Sequence, residues 1–286
     1  MEAQDLVVEL LVDCRCELGE GPVWEAENNR LLWLDINKGT VHSWHSLTNR
    51  HTMHEFPSKI SAITRNQFGK YIAASKKGFV ELDFANHTVY PIADPESDKP
   101  NNRFNDGKSD ALGRFWAGSM DEVYGKEGEG KLYMLNLDGK IEVKIDNVTC
   151  SNGLVWNKSN TLFYYIDSLK YNVVVFNFDL ESGSLSDPRV LINFPKELGL
   201  PDGMSIDSNG NLWVAIWGSG KIFKIDSIEG KILREIEIPA SQVTSCTFGG
   251  QDNKDLFITT ASVGLNEDEL KRTPYAGSLF RIRNIY

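Results

Sequence analysis

Six short hairpin signatures recur along the chain at nearly even spacing, and few folds accommodate such a series. In the first, residues 31–36 and 40–44 are rich in Leu, Trp, Ile and Val. They flank Asn37-Lys38-Gly39, where the Gly supplies the positive φ that a tight turn demands. The shape returns at 71–84, 132–141, 162–178, 212–225 and, with a longer connection, 256–282. The apolar residues that mark the units are Trp33, Ile72, Trp116, Phe163, Trp213 and Phe257, at intervals of 39, 44, 47, 50 and 44 residues. A β-sandwich also repeats strands but has no reason to keep this unit length. A period of 40–50 residues with several strands per unit signifies a β-propeller. The expected fold is all-β, a six-bladed β-propeller that fills residues 1–286 as one domain. No long amphipathic helix is visible, and residues 265–271 suit at most one short helical turn.

A second column runs beside the first. A short apolar strand precedes each hairpin, and the residues at its entrance are Glu20, Lys59, Asp106, Asn152, Asp202 and Thr244, at intervals of 39, 47, 46, 50 and 42. The innermost strand of a propeller blade lines the central channel, so this column is expected to face the axis. Three carboxylates, an amide and a hydroxyl would then converge. Like charges at one point raise each other's pKa unless a cation joins them. An all-oxygen set suits one hard divalent cation in the channel, with Ca²⁺ most expected, Mg²⁺ or Mn²⁺ tolerated, and Zn²⁺ less favoured without His or Cys. Each residue alone reads better as a turn cap. Glu20, Asn152 and Asp202 together, at blade spacing, favour the metal. So few protein ligands would leave coordination positions open, the arrangement of a catalytic site.

Composition narrows the partners. With 30 Lys and Arg against 40 Asp and Glu, the 286-residue chain carries a formal net charge of −10. That balance argues against nucleic acid and against anionic membrane surfaces. A hydrophobic share of 41% with 24% charged residues is that of a folded protein. No apolar run approaches the roughly 20 residues of a membrane span, and Glu2 and Asp5 do not resemble the start of a secretory signal, so a soluble cytoplasmic protein is expected. Cys14, Cys16, Cys150 and Cys246 are too few for a disulfide scaffold and read as free, packed thiols. Partners three apart in the pairs His42/His45 and His51/His54 face opposite sides of a strand, so neither pair is expected to bind zinc. No Gly-x-Ser-x-Gly elbow is present.

The stretches Gly19-Glu-Gly-Pro-Val-Trp24, Asn101-Asn-Arg-Phe-Asn-Asp-Gly-Lys108, Ala117-Gly-Ser-Met120, Ser151-Asn-Gly-Leu-Val-Trp156, Pro201-Asp-Gly-Met204 and Thr244-Ser-Cys-Thr-Phe-Gly-Gly250 run through nearly the whole chain. Together they resemble the regucalcin, or senescence marker protein, family, which includes gluconolactonases and insect luciferin-regenerating enzymes. The resemblance implies a six-bladed propeller with one divalent ion held by Glu20, Asn152 and Asp202. It further implies that Arg103 and Asn105 contact substrate and that Asp202 is also the general base or acid. The family's substrate-contacting Glu aligns with Val123, with Glu122 beside it as the candidate substitute, and the 121–130 segment is shorter than in familiar members. The implied activity is metal-dependent hydrolysis of a small lactone by a monomer. A calcium-binding regulatory role, or hydrolysis of another electrophile such as an organophosphate or a luciferin-recycling intermediate, stands as the alternative.

Overall fold

The structure, a computed structural model, describes residues 6–123 and 125–285. After β1 (Val8–Val12), the chain runs as antiparallel meanders of four strands. The first holds β2 (Gly19–Glu25), β3 (Arg30–Asp35), β4 (Thr40–His45) and β5 (Arg50–Glu55). The second holds β6 (Ile60–Arg65), β7 (Tyr71–Ser75), β8 (Gly78–Asp83) and β9 (Thr88–Ala93). The third holds β10 (Asn102–Ser109), β11 (Phe115–Asp121), β12 (Gly130–Leu135) and β13 (Ile141–Val148). The fourth holds β14 (Ser151–Trp156), β15 (Leu162–Asp167), β16 (Asn172–Asp179) and β17 (Ser184–Asn193).

The remaining strands are β18 (Leu200–Ile206), β19 (Leu212–Trp217), β20 (Lys221–Ile225), β21 (Ile232–Glu237), β22 (Gln242–Gly249), β23 (Asp255–Ala261) and β24 (Leu279–Ile282). They form one sheet with β1, but two four-stranded groups within it share a ladder only where Trp217 pairs with Gln242. The last group is completed by the start of the chain: β1 pairs antiparallel with β24, Val8 opposite Ile282 and Leu10 opposite Phe280. The first strand of each group packs on the first strand of the next, and β22 packs back on β2, which closes the circle. This is an all-β arrangement of four-stranded sheets, as a propeller requires.

The aromatic column does the packing between sheets. Trp33, Trp116, Phe163, Trp213 and Phe257 are almost wholly buried. Two of the indoles are anchored: Asp110 accepts from Trp116 Nε1 at 2.9 Å, and Asp207 accepts from Trp213 Nε1 at 3.1 Å. The expected helical turn is α1 (Glu267–Arg272), started by a capping box between Asn266 and Glu269. No helix among the described residues is long and apolar enough to cross a membrane.

Each first strand carries a register shift. The breaks fall between Glu20 and Val23, Ile60 and Ala62, Phe104 and Gly107, Asn152 and Leu154, Pro201 and Met204, and Val243 and Ser245. A bulge re-aims the side chain beside it, and it does so here where Glu20, Asp106, Asn152, Asp202 and Thr244 stand. Lys59 departs from the expected column: it precedes β6 and turns to the carboxylate of Glu122 instead. The ring is drawn tight at glycines. A Cβ on Gly153 would lie 2.7 Å from the backbone oxygen of Asp202, and one on Gly203 would lie 2.1 Å from Ser245 Oγ.

Candidate active site

The N-terminal ends of the first strands, with the loops before them, surround a cleft of about 310 Å³. Glu20, Arg103, Asn105, Asn152 and Asp202 all line it, supplied by β2, β10, β14 and β18. All five are buried. Arg103, Asn105 and Asn152 are linked by one hydrogen-bond chain. Arg103 Nη1 donates to Asn105 Oδ1 at 2.6 Å and to the Phe104 carbonyl at 2.9 Å. Asn105 Nδ2 donates to Asn152 Oδ1 at 3.0 Å and to the Ser151 carbonyl at 2.8 Å. Asn152 Nδ2 donates to Ser168 Oγ at 2.8 Å, and Ser168 Oγ donates to the Pro201 carbonyl at 2.6 Å. The chain fixes both amides and leads directly to the residue before Asp202. Ser168 lay within a strongly patterned stretch of sequence, but no periodicity singled it out. It is one residue past Asp167, which accepts the backbone N–H groups of Thr149 and Cys150 and so holds the entrance to β14.

Glu122 stands one layer behind the cleft and does not line it. Its carboxylate accepts from Arg103 Nε at 3.0 Å, pairs with Lys59, and lies 3.5 Å from Lys76 Nζ. Hydrogen bonding from Lys59 and the charge of Arg103 outweigh its partial burial and hold it below the usual carboxylate range. Thr244 is also withdrawn: its hydroxyl donates to the Gly19 carbonyl at 2.6 Å.

The acids are short of partners. Asp202 is 5% exposed, and its Oδ1 has no hydrogen-bond partner. Burial, then the charges of Glu20 and Asp106, push its carboxyl well above the ordinary value. Burial and the charge of Asp106 push Glu20 up to about 8. An orphaned carboxylate oxygen, a second raised carboxyl and an amide oxygen on a single cleft fit a hard cation. Cys150, beside them, is pushed up to about 12, chiefly by burial and then by Asp202, so its thiol is not primed as a nucleophile.

The C-terminal halves of the same strands border a larger cavity of about 670 Å³. Two charges of opposite sign lie in it: burial raises Asp106 and lowers Lys108, each charge opposing the other's shift, and Lys108 Nζ donates to the Met204 carbonyl at 3.1 Å. The smaller cleft, where two raised carboxyls meet and Asp202 Oδ1 has no partner, is the better chemical site.

A family match spans most of the chain. Residues 18–262 match the SMP-30/Gluconolactonase/LRE-like region. This chain therefore belongs to the SMP-30/gluconolactonase/LRE-like family. Among its relatives, human regucalcin is 38% identical over 277 residues, covering 96% of this chain and 92% of that protein. The provisionally named sugar lactone lactonase YvrE of Bacillus subtilis (strain 168) is 38% identical over 276 residues, covering 96% and 94%. The solved structure of regucalcin from Agrobacterium tumefaciens str. C58, described as a calcium-binding protein, superimposes with a TM-score of 0.92 at 27% identity, covering 97% of this chain and 93% of that one.

Proposed function

We propose that this chain is a divalent-cation-dependent lactonase, a six-bladed β-propeller whose channel opens at the cleft described above. The observation that carries this reading is the unpartnered Oδ1 of Asp202, buried beside Glu20 and Asn152. Family membership and the sugar lactone lactonase name of the Bacillus relative support the substrate class. Glu20, Asn152 and Asp202 would hold the cation. Ca²⁺ suits their oxygen chemistry best, with Mg²⁺, Mn²⁺ and Zn²⁺ as other candidates. When bound, the cation supplies Lewis-acid polarisation of the ester carbonyl and compensates the oxyanion that develops there.

The protein's own groups do the rest. Asp202 takes a proton from water as the water oxygen bonds to the lactone carbonyl carbon. It returns that proton to the ring oxygen as the ring C–O bond breaks, giving the open hydroxy acid. Arg103 and Asn105 bind the hydroxyls or the nascent carboxylate, and Arg103 uses the donors left free by Asn105 and Glu122. Glu122 is a positioning residue, because its contact is with Arg103. The molecule acts as a monomer in the cytoplasm, and its acidic surface sets it apart from nucleic acid and anionic membranes.

Asp202→Asn keeps the shape and removes the base. Turnover of a sugar δ-lactone should fall by about 10²–10⁴-fold, with an unchanged circular dichroism spectrum. Full activity in the variant would remove Asp202 from the mechanism. The name of the Agrobacterium relative favours a second reading, a calcium-binding protein without important turnover. Three protein donors would make a weak calcium site, so micromolar or tighter Ca²⁺ binding without turnover would favour that reading.

A further inference from the structure

The segment that leads from β1 into β2 carries Cys14 and Cys16 across the seam where the last group of strands meets the first. Arg15 between them is in the left-handed region, φ 49°, so the segment is not a plain strand. The two sulfurs lie 3.6 Å apart. Cys16 Sγ is 3.6 Å from His42 Nε2 on β4, and all three ligand atoms lie within 4.8 Å of one another. Cys16 is 1% and His42 4% exposed, while Cys14 is half-buried. Neither histidine pair of the sequence makes this cluster. It takes one histidine from β4 and both cysteines from a loop that only the fold brings near it.

The surroundings are arranged around these three atoms. His42 Nδ1 is 3.0 Å from His51 Nε2, and in the tautomer where Nδ1–H donates to His51, the Nε2 lone pair of His42 faces Cys16. Trp33 stacks on both rings, at 5.0 Å from His42 and 5.3 Å from His51, and holds them in place. Trp33 Nε1 is buried without a hydrogen-bond partner.

We propose that Cys14 Sγ, Cys16 Sγ and His42 Nε2 form a binding site for one Zn²⁺ ion, separate from the cleft, which staples the ring-closing segment to β4. Around one tetrahedral zinc with bonds of about 2.3 Å to sulfur and 2.0–2.1 Å to nitrogen, ligand atoms lie about 3.8 Å (S to S) and 3.6 Å (S to N) apart. Two observed spacings are already close to these, and the third, Cys14 Sγ to His42 Nε2, is within 4.8 Å. Two thiolates and an imidazole are zinc's ligands, whereas Glu20, Asn152 and Asp202 of the cleft offer oxygens. His51 behind His42 is the outer partner that fixes a ligating ring. Burial and the neighbouring His51 lower His42 to about 4, so its ring is neutral and free to ligate at physiological pH. The hydrogen bond from Cys16 lowers Cys14, whereas contact with Cys14 and then burial raise Cys16 well above the ordinary thiol value, so the zinc must displace the Cys16 proton. The fourth position is left for water, on the side of half-buried Cys14. The proposal does not rest on the reading of the cleft.

The test is a Co²⁺ titration of the reduced, chelator-treated full chain with Ca²⁺ in excess. One equivalent of Co²⁺ should produce a thiolate-to-cobalt charge-transfer band in the near ultraviolet, and Zn²⁺ should displace it. Zn²⁺ should also raise the melting temperature, because it binds only the folded seam. Cys14→Ser should abolish the band, and Cys246→Ser, at a buried thiol elsewhere, should keep it. Because the Zn²⁺-dependent rise in melting temperature is read on unaltered protein, poor folding of a variant leaves the proposal testable. Absence of the band, its survival in Cys14→Ser, or a Cys14–Cys16 disulfide that re-forms in preference to metal binding would overturn the site.

Discussion

At the scale of single residues, the cleft is defined by acids that burial has made reluctant to ionise. Glu20 carries the clearest consequence. Its ordinary value is 4.5, and in the fold it rises to about 8, first through burial and then through Asp106. Between those values the unfolded chain has lost a proton that the cation-free fold retains. The folded state then binds more protons, so its stability falls as pH rises through the window. Asp202 and Asp106 are raised in the same direction. Cation-free protein should melt lower at pH 8 than at pH 5, by about 2 °C or more. Saturating Ca²⁺ should flatten or reverse that slope, because carboxylates that hold the ion are already ionised. Scanning calorimetry at the two pH values, with and without Ca²⁺, checks this, and identical slopes would break the link between these acids and a cation.

At the scale of elements, the strand that matters most is the one with the weakest local signal. β1 joins β24 across the whole length of the chain, so its partner cannot be read from neighbouring residues. Leu6 and Val8 pack on the core of the last group, and Leu11 and Val12 on the cluster around Trp33 and Phe257. At about 1 kcal/mol for each of these four partly buried side chains, removing residues 1–12 should cost about 4 kcal/mol. Urea unfolding monitored by tryptophan fluorescence would register that loss, and an unchanged midpoint would mean that the ring closes without β1. The hairpins, by contrast, were plain in the sequence. Their turn glycines and alternating apolar residues are local features, and the strands begin within a few residues of the expected positions. The bulges explain why the first strands start earlier than the apolar pattern suggests: the polar residues Glu20, Asn152 and Asp202 belong to the strands themselves. Lys59 shows the limit of counting intervals, since it precedes β6 and pairs with Glu122 instead of lining the cleft. The cysteine and histidine cluster was invisible for the same reason as β1, because its members meet only when the two ends of the chain do.

At the scale of the whole molecule, the period of the hairpins was enough to call for a ring of repeated sheets, and the first strands do pack in a closed circle. Much of the cleft was legible too, because residues that recur at the repeat length stand at equivalent places around a ring. Glu20, Asn152 and Asp202 meet there as the spacing required, and Arg103 and Asn105 join them through a hydrogen-bond chain that spacing alone did not contain. The role of Glu122 depends on side-chain direction, which no period encodes. The proposed function requires that this cleft bind a divalent cation to open a lactone. Its most direct test is the rate of D-glucono-δ-lactone hydrolysis, followed by proton release, on chelator-stripped protein with Ca²⁺, Mg²⁺, Mn²⁺ or Zn²⁺ restored singly. Turnover should be negligible without cation and recover with at least one, Ca²⁺ first among them. Full turnover in the stripped protein, or none with any ion although Ca²⁺ raises the melting temperature, would contradict it.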